Sequence, residues 1–295
     1  MAADRRAGDP ERSTELLWGA REPRAGRGRP GLSLERIVRA AIELADAEGV
    51  AALSMRRIAE RLGFTTMSLY RHVPGKAELL DLMRDALVGE VARPDGDAGG
   101  WRAGLEAWAR EGWALHRRHP WLVQVGGTRR VPGPNAVASY EHALRLVSGT
   151  GLRPAEVVAV VGLVGGFVES AARQAAETSQ TEQRSGVTEE EWWGARGSLF
   201  DRLAPYPTIG HLWESGGYDQ PEDPFEFGLQ RVLDGVATLV ELRGETRDGN
   251  RDGTSPPVCG VCGRVMDRAA TGRPRAYCSK ACRQRAYRTR KAAEA

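Results

Sequence analysis

Apolar residues recur along most of this chain at intervals of three and four, the period of helices that bury one face. Ile37, Ala40, Ala41, Leu44 and Ala45 form such a face on a segment that Ser33 opens and Gly49 closes. From Leu53 to Lys76 the pattern predicts two short helices joined by a tight turn, and the rest of the chain is organised around this stretch. Ser54 is a good N-cap, Ile58, Ala59 and Leu62 give the first helix its inner face, and Gly63 can take the positive φ that ends it. Phe64 then anchors the turn, Thr65 caps the second helix, and Leu69 and Val73 bury its inner side.

The same periodicity predicts a connector helix from Lys76 to about Val91, with Leu79, Leu80, Leu82, Met83 and Leu87 apolar on enough sides to touch two domains. Pro94 to Gly100 breaks the chain and marks a domain boundary. Trp101, Leu105, Trp108, Gly112 and Leu115 define an amphipathic helix ending at His119-Pro120, and Trp121 to Val123 begin a short one. After a loop at Gly126 to Pro134, Asn135 is the expected cap of a helix carrying Val137, Tyr140, Leu144 and Val147. The next helix runs from Pro154 to about Glu177 and is apolar nearly all round from Val157 to Val168, so it must be buried on several sides. Gly162, Gly165 and Gly166 would let another backbone approach it closely. Gln180 to Val187 is polar and expected to be mobile, Thr188-x-x-Glu191 is a capping box opening a helix through Leu203, and Pro205 to Pro224 reads as loop with a turn at His211 to Trp213. A last long helix, about Pro224 to Arg243, presents Leu229, Val232, Leu233, Val236, Leu239 and Val240 on one broad face.

Composition is that of an ordinary soluble globular protein, 41% hydrophobic and 27% charged over 295 residues. The net charge of +3 hides an asymmetry: residues 1–31 carry +2, residues 258–295 carry +8, and the middle carries −7. Only three of the 42 basic residues are Lys (Lys76, Lys280, Lys291), a skew that suggests a GC-rich genome. Only the clustering of Arg, not its abundance, therefore points to an anionic partner. No signal peptide is visible and the run Val157 to Val168 is too short to span a bilayer, so a cytoplasmic protein with no membrane partner is expected.

Thr66, Met67, Ser68, Tyr70, Arg71 and His72 are left on the outer side of the second short helix, a surface sized for the major groove of DNA. The run of Leu53, Ser54, Arg56, Ile58, Ala59, Leu62 and Gly63, then Ser68-Leu69-Tyr70-x-His72-Val73 and Lys76, resembles the DNA-binding domain of tetracycline-repressor-like (TetR-family) regulators. The likeness is close over about Leu32 to Ala92 and is one of helical layout beyond. It implies an all-α fold with a three-helix helix-turn-helix domain (32–92) and a helical effector-binding and dimerisation domain (93–243); composition and cysteine spacing add a linker (244–257) and a small C-terminal module (258–295). By this resemblance Thr66, Met67 and Arg71 face bases, Ser54, Ser68, Tyr70, His72 and Lys76 face phosphates, Arg56 reaches a base from the first helix, and the Thr65 cap adjoins them. The resemblance also implies a homodimer, joined through the helices starting near Pro154 and Pro224, on a palindromic double-stranded DNA operator. Recognition physics agrees, because one such motif covers few base pairs.

An unknown small-molecule effector is expected on the same ground, in a cavity that Trp108, Trp113, His116, Trp121, Tyr140 and His142 could line, with polar contacts from Glu169, Arg173 and Gln174. Its binding would shift the population toward a dimer whose two reading heads no longer match successive major grooves. No nucleophile and base pair is evident, so no catalytic residue and no enzyme activity is expected.

Two segments fall outside that plan. Met1 to Gly31 is a Pro, Gly and Arg-rich arm for which disorder is the default, although Gly26-Arg27-Gly28-Arg29-Pro30-Gly31 resembles an AT-hook core able to lie in the minor groove. At the other end Cys259-x2-Cys262, fifteen residues, and Cys278-x3-Cys282 have zinc-ligand spacing in a segment with few apolar residues. Four thiolates fill a tetrahedral shell, so the zinc would be structural. Tyr277 to Cys282 resembles the second half of treble-clef zinc fingers. A basic helix follows, with Arg283, Arg285, Tyr287, Arg288, Arg290 and Lys291, which either adds phosphate contacts or binds another protein. An alternative is that this module senses zinc or redox state and gates DNA binding; a zinc-dependent enzyme is disfavoured by the saturated ligand set.

Overall fold

The computed structural model describes residues 10–19, 31–91, 99–125, 131–203, 205–218, 223–251, 257–266 and 276–293. Regular structure among them is helical, with one isolated antiparallel bridge between Val258 and Val265. Helix α1 (Pro10–Gly19) precedes α2 (Leu34–Glu48), a 3₁₀ turn at Val50–Ala52, α3 (Met55–Leu62), α4 (Thr66–Tyr70) and α5 (Lys76–Glu90). Then come α6 (Gly100–Arg118), a 3₁₀ stretch at Pro120–Val125, α7 (Pro134–Ser148), α8 (Pro154–Ser185), α9 (Glu189–Gly194), α10 (Gly197–Phe200), a 3₁₀ turn at Asp201–Leu203, α11 (Pro207–Glu214), α12 (Pro224–Arg251) and α13 (Lys280–Ala293). Helix starts follow their caps: Ser33, Ser54 and Thr65 each accept, through the side-chain oxygen, the N–H three residues on at 3.3 Å. Thr188 and Glu191 close the expected capping box.

The chain gathers into two compact units, one of residues 1–96, 107–142 and 165–228, the other of 97–106, 143–164 and 229–295. In the first, Ile37, Ala41 and Leu44 of α2, Ile58 of α3, Leu69, Val73, and Leu79, Met83 and Leu87 of α5 form one core, which Leu115, Trp121, Leu122 and Val125 extend. Asp46 of α2 accepts the Trp121 Nε1–H at 2.6 Å and pairs with His119 Nδ1 at 2.7 Å. In the second, Leu105, Val147, Val161, Val164, Leu229 and Leu233 are buried. Arg102 pairs there with Asp234 at 2.7 Å, and Arg153 and Arg243 both reach Glu156 at 2.5 Å.

Several sequence expectations change. The arm is not disordered throughout: Pro10–Gly19 is helical because Leu16 and Leu17 join the core and Trp18 Nε1 donates to the Pro132 carbonyl at 3.3 Å. The Arg-Gly-Arg-Pro run at 27–30 lies outside the described residues, as do most of the boundary at 94–100 and part of the linker. Gln180 to Ser185 continues α8 instead of forming a mobile segment, so α8 has 32 residues, and by length and composition it is long and apolar enough to cross a membrane. The helix expected through Leu203 breaks into α9, α10 and a 3₁₀ turn, the turn at His211 to Trp213 is a full helix, and α12 runs to Arg251, into the expected linker.

Asn135 does not cap α7. The cap comes from Asp85 on α5, a carboxylate only 7% exposed, which accepts the Ala136 N–H at 2.9 Å and the Asn135 N–H at 3.3 Å. Asn135 Nδ2 donates in return to the Asp85 carbonyl at 3.1 Å. Gly133 makes room, since a Cβ there would sit 2.3 Å from the Asp85 carboxyl carbon. The negative charge meets the positive end of the α7 dipole and satisfies N–H groups no helix can satisfy for itself. Asp85→Ala should therefore lower stability by about 1–2 kcal/mol, read as an earlier urea midpoint, and Asp85→Asn, which keeps one acceptor oxygen, should lose less. Identical midpoints in all three proteins would show that this cap contributes nothing.

Candidate nucleic-acid interface and accessory sites

α3 ends where Gly63 turns left-handed (φ 73°, ψ 32°), and the Phe64 N–H closes the turn on the Ala59 carbonyl at 3.0 Å. α4 follows after three residues, Gly63, Phe64 and Thr65, and buries Leu69, with Val73 just beyond, both completely. What remains outside is the expected surface: Met67 is 70% and Tyr70 43% exposed, Arg71 is exposed, and Thr66, Ser68 and His72 are half-buried. Thr65 Oγ1 and Ser68 Oγ lie 2.9 Å apart, so these two hydroxyls are held together at the helix start. Arg56 projects from α3 and is bonded to Glu60 at 2.8 Å, while Ser54 is engaged as a cap but keeps its O–H as a donor. Lys76 differs from expectation in what it touches: its ammonium donates to the carbonyls of Val50 (3.2 Å) and Leu53 (2.7 Å), fastening the start of α5 to the start of the reading motif. Sequence reasoning also missed the pairs that brace the motif against α2, Arg57 with Glu48 at 2.6 Å and Arg61 with Glu43 at 3.0 Å.

The aromatic residues separate into two groups. Trp108 donates from Nε1 to Ser139 Oγ at 3.0 Å and lies over Gly165, where a Cβ would meet its ring at 3.4 Å. Trp113 stacks on Phe225, with centroids 4.6 Å apart and planes 7° from parallel, and Phe225 stacks in turn on Phe167 at 5.6 Å. His116, one turn further along α6, has a buried Nδ1 with no hydrogen-bond partner among the described residues. Burial pushes its pKa below the ordinary histidine value; Glu169 pulls it up, and Arg84 and Arg173 push it down. Glu169 itself is 3.7 Å from Arg84 of α5. Trp121 is not part of this interior, because its indole is spent on Asp46, and Tyr140 turns outward at 43% exposure. His142 is half-buried, and Arg173 and Gln174 are exposed. Phe225, Phe167, Ser139 and Arg84 were missed; the only signal was Pro224, which marks the start of α12 but says nothing of what Phe225 meets.

In the second unit α8 and α12 line one open groove of about 460 Å³ with Glu156, Val160, Leu163, Val232, Val236 and Leu239 on its walls. The run expected to be buried on several sides is bare on one: Val158 and Leu163 are 52% and 54% exposed, and apart from the helix's own adjoining backbone nothing lies within 4 Å of where a Cβ would stand on Gly162 or Gly166. Nearby on the chain, Cys259, Cys262, Cys278 and Cys282 converge, all four sulfurs within 4.8 Å of one another and Cys262 3.4 Å from Cys278. The first pair sits on a knuckle closed by the Gly263 N–H on the Cys259 carbonyl (2.9 Å) and the Cys259 N–H on the Arg264 carbonyl (2.9 Å). Burial pushes the Cys259 thiol up, but the N–H groups of Cys278, Cys262 and Val261 outweigh it and bring it down to about 6. Cys278, hydrogen-bonded to the Cys262 and Cys259 sulfurs, is pushed up to about 12 and holds the proton.

Comparison with known proteins agrees with the geometry over most of the chain. Residues 37–83 match the family described as bacterial regulatory proteins, tetR family, and residues 93–240 match the tetracyclin repressor-like C-terminal domain. The HTH-type transcriptional repressor DrrR1 of Streptomyces coeruleorubidus is 46% identical over 246 residues, which cover 81% of this chain and 90% of that protein. An HTH-type transcriptional regulator of Saccharopolyspora erythraea is 32% identical across 82% of this chain and all of its own length. Among solved structures, apo ActR of Streptomyces coelicolor superposes with a TM-score of 0.59 at 30% identity, over 71% of this chain and 98% of its own. ActR in complex with actinorhodin gives 0.58 at 28% identity over 71% and 97%.

The His116 environment makes a test of its own. Its folded pKa lies below the unfolded value, so the unfolded chain takes up a proton first; stability is unaffected above the ordinary histidine range and falls as pH drops through it. His116→Gln should flatten the decline in thermal midpoint between about pH 7.5 and about pH 5.5, and an unchanged slope would show that His116 is not the group responsible.

Proposed function

The chain belongs to the tetR family of bacterial regulatory proteins, and we propose that it acts in the cytoplasm as a homodimeric repressor that leaves a palindromic operator when a small molecule enters its helical interior. Its family and relatives are transcriptional regulators and not enzymes. The observation that carries the reading is the α3–α4 surface: a rigid two-helix corner that spends its apolar residues inward and leaves Met67, Tyr70 and Arg71 outward beside paired hydroxyls. Thr66, Met67 and Arg71 meet base edges, Arg56 adds a base contact from α3, and Ser54, Ser68, Tyr70 and His72 position phosphates. Lys76 contributes at most its one remaining N–H, since two carbonyls hold the others. The bare ridge of α8 and the groove beside α12 receive the same surfaces of a second copy, and burying Leu163 or Val158 there is worth up to about 1.5–3 kcal/mol each.

The effector enters beside Trp108 and the stacked Trp113, Phe225 and Phe167, where His116 offers a buried ring nitrogen without a partner. That lining suits an aromatic molecule carrying one polar group, and ActR, about 30% identical, has been solved with actinorhodin. α5 carries the response. Arg84 faces Glu169 of α8, Asp85 holds the start of α7, and Lys76 holds the reading motif, so a ligand that parts α6 from α8 moves the motif through one helix.

The four-cysteine cluster holds a structural zinc ion. A tetrahedral zinc with bonds of about 2.3 Å places its sulfurs roughly 3.8 Å apart, and the Cys278 to Cys282 separation is 3.6 Å. Zinc would displace the shared protons and supply the core that a segment this poor in apolar residues lacks. With four thiolates bound it has no position for substrate, and it takes no part in chemistry.

On a duplex selected from fragments of the organism's own DNA, two chains should bind per palindrome. Tyr70→Ala should weaken every duplex by a similar factor, whereas Arg71→Ala should cost about 1–3 kcal/mol on the preferred duplex alone and so relax base preference. Binding curves for both variants that overlay the unchanged protein would sink the assignment. Elemental analysis should find one zinc per chain, and a strong chelator should remove the circular dichroism of α13 while sparing the remaining helices; metal-free protein with an unaltered spectrum would dismiss the zinc.

A further inference from the structure

We propose that α13 is a second DNA-binding element, whose exposed arginines grip a phosphate backbone. Lys280 to Ala293 contains six basic residues and no acid. Cys282 and Ala286, one turn apart, are its half-buried positions, while Arg283, Gln284, Arg285, Tyr287, Arg288 and Thr289 are exposed.

Many arginines elsewhere are matched to carboxylates, among them Arg57 to Glu48, Arg61 to Glu43, Arg102 to Asp234, Arg110 to Glu226, Arg231 to Asp234 and Arg243 to Glu156, and those that form no ion pair among the described residues, such as Arg39 and Arg173, are not gathered on one short helix without an acid. Among the described residues no ion pair reaches Arg283, Arg285 or Arg288. Neither family match extends past residue 240, so the module is an addition to the family plan. Its charge is therefore local, unbalanced and presented to solvent.

The pattern favours a duplex over an acidic protein. A stable interface with a folded protein has an apolar core inside its polar rim, and Tyr287, at 60% exposure, is the one large apolar residue of α13 that is exposed among those described. Here the basic positions wrap most of the helix circumference. Fourteen residues span about 21 Å, enough to reach phosphates on both sides of a groove about 12 Å wide. Guanidinium groups bind those oxygens without reading sequence, so α13 adds affinity and the α3–α4 surface retains the choice of site.

The proposal rests on the reading of α3 and α4 as duplex-binding, and the test separates the two. Fluorescence anisotropy with the full zinc-loaded chain and a selected operator duplex is measured over a range of KCl concentrations. Each phosphate contact contributes about 0.9 to the slope of log K against log salt. The triple variant R283Q/R285Q/R288Q should flatten the slope by about 2–3 and bind at least roughly tenfold more weakly at about 0.1 M salt, while R283K/R285K/R288K keeps the original slope. Zinc content shows that the module is intact; should the triple variant lose its metal, Arg285→Gln alone must still lower the slope by about one. A Gln variant that holds zinc and matches the unchanged protein in slope and Kd overturns the proposal and leaves the basic face to an acidic protein. An unchanged protein that binds no duplex at low salt refutes the α3–α4 reading instead.

Discussion

A carboxylate removed from water persists only where the fold supplies donors, and Asp85 finds them at the first turn of a different helix. That contact sets the rotation of α5, because a turn of one residue would carry the oxygens away from the Ala136 and Asn135 N–H groups and leave both unsatisfied. Lys76 does the same at the other end of the helix, where its ammonium reaches two carbonyls at the doorstep of the reading motif. Between them Leu79, Met83 and Leu87 fill the core, and apolar packing of this kind resists separation more than sliding. The polar pins therefore decide register and the apolar residues decide cohesion. A helix held so at both ends transmits displacement as a lever instead of absorbing it.

Features that depend on a few neighbouring residues were legible in the sequence. The Ser33, Ser54, Thr65 and Thr188 caps, the Gly63 turn and the inward Leu69 and Val73 all follow from spacing, and the structure has them. Partners remote in the chain were not. Trp113 and Trp121 look alike as tryptophans near helical spacing, yet one stacks on Phe225 and the other gives its indole proton to Asp46, and only tertiary packing separates them. Asp85 carried no sign of its role because a single acid on a connector helix is usually solvated. Polarity was mistaken for disorder after Glu177: Gln180, Glu182, Gln183 and Arg184 form helix readily, and the chain meets no breaker until Gly186, where φ is +69°. The arm shows the converse, since two leucines and a tryptophan sufficed to fold a stretch whose average composition argued against it.

The four cysteines are the case in which spacing alone predicted a three-dimensional cluster. The x2 gap puts Cys259 and Cys262 on one knuckle whose N–H groups point at sulfur, and the x3 gap sets Cys278 just before a helix and Cys282 in its first turn. Sulfurs so close cannot all remain protonated without cost, nor all ionise without repulsion, and the low Cys259 and high Cys278 pKa values express that conflict. A divalent cation resolves it from outside the chain.

The same reasoning bears on α8. Taken by composition its first half suits a lipid environment, and 33% of that apolar window is buried within one chain. Yet Glu156 at its start holds two arginines, and its second half carries Glu169, Arg173 and Glu177 on the outside. The large exposed apolar residues of α8, Val158 and Leu163, lie instead on a ridge with Gly162 and Gly166, which small residues make shallow. α12 runs beside it with its own exposed series, Phe227, Arg231, Gly235, Thr238 and Leu242, spaced by four, four, three and four. Lipid asks for apolar residues on every side, whereas a second helix pair asks for a stripe with a charged margin. The stripe is what these two helices present, and it makes the proposed dimer the simplest account of why so apolar a helix is left half bare.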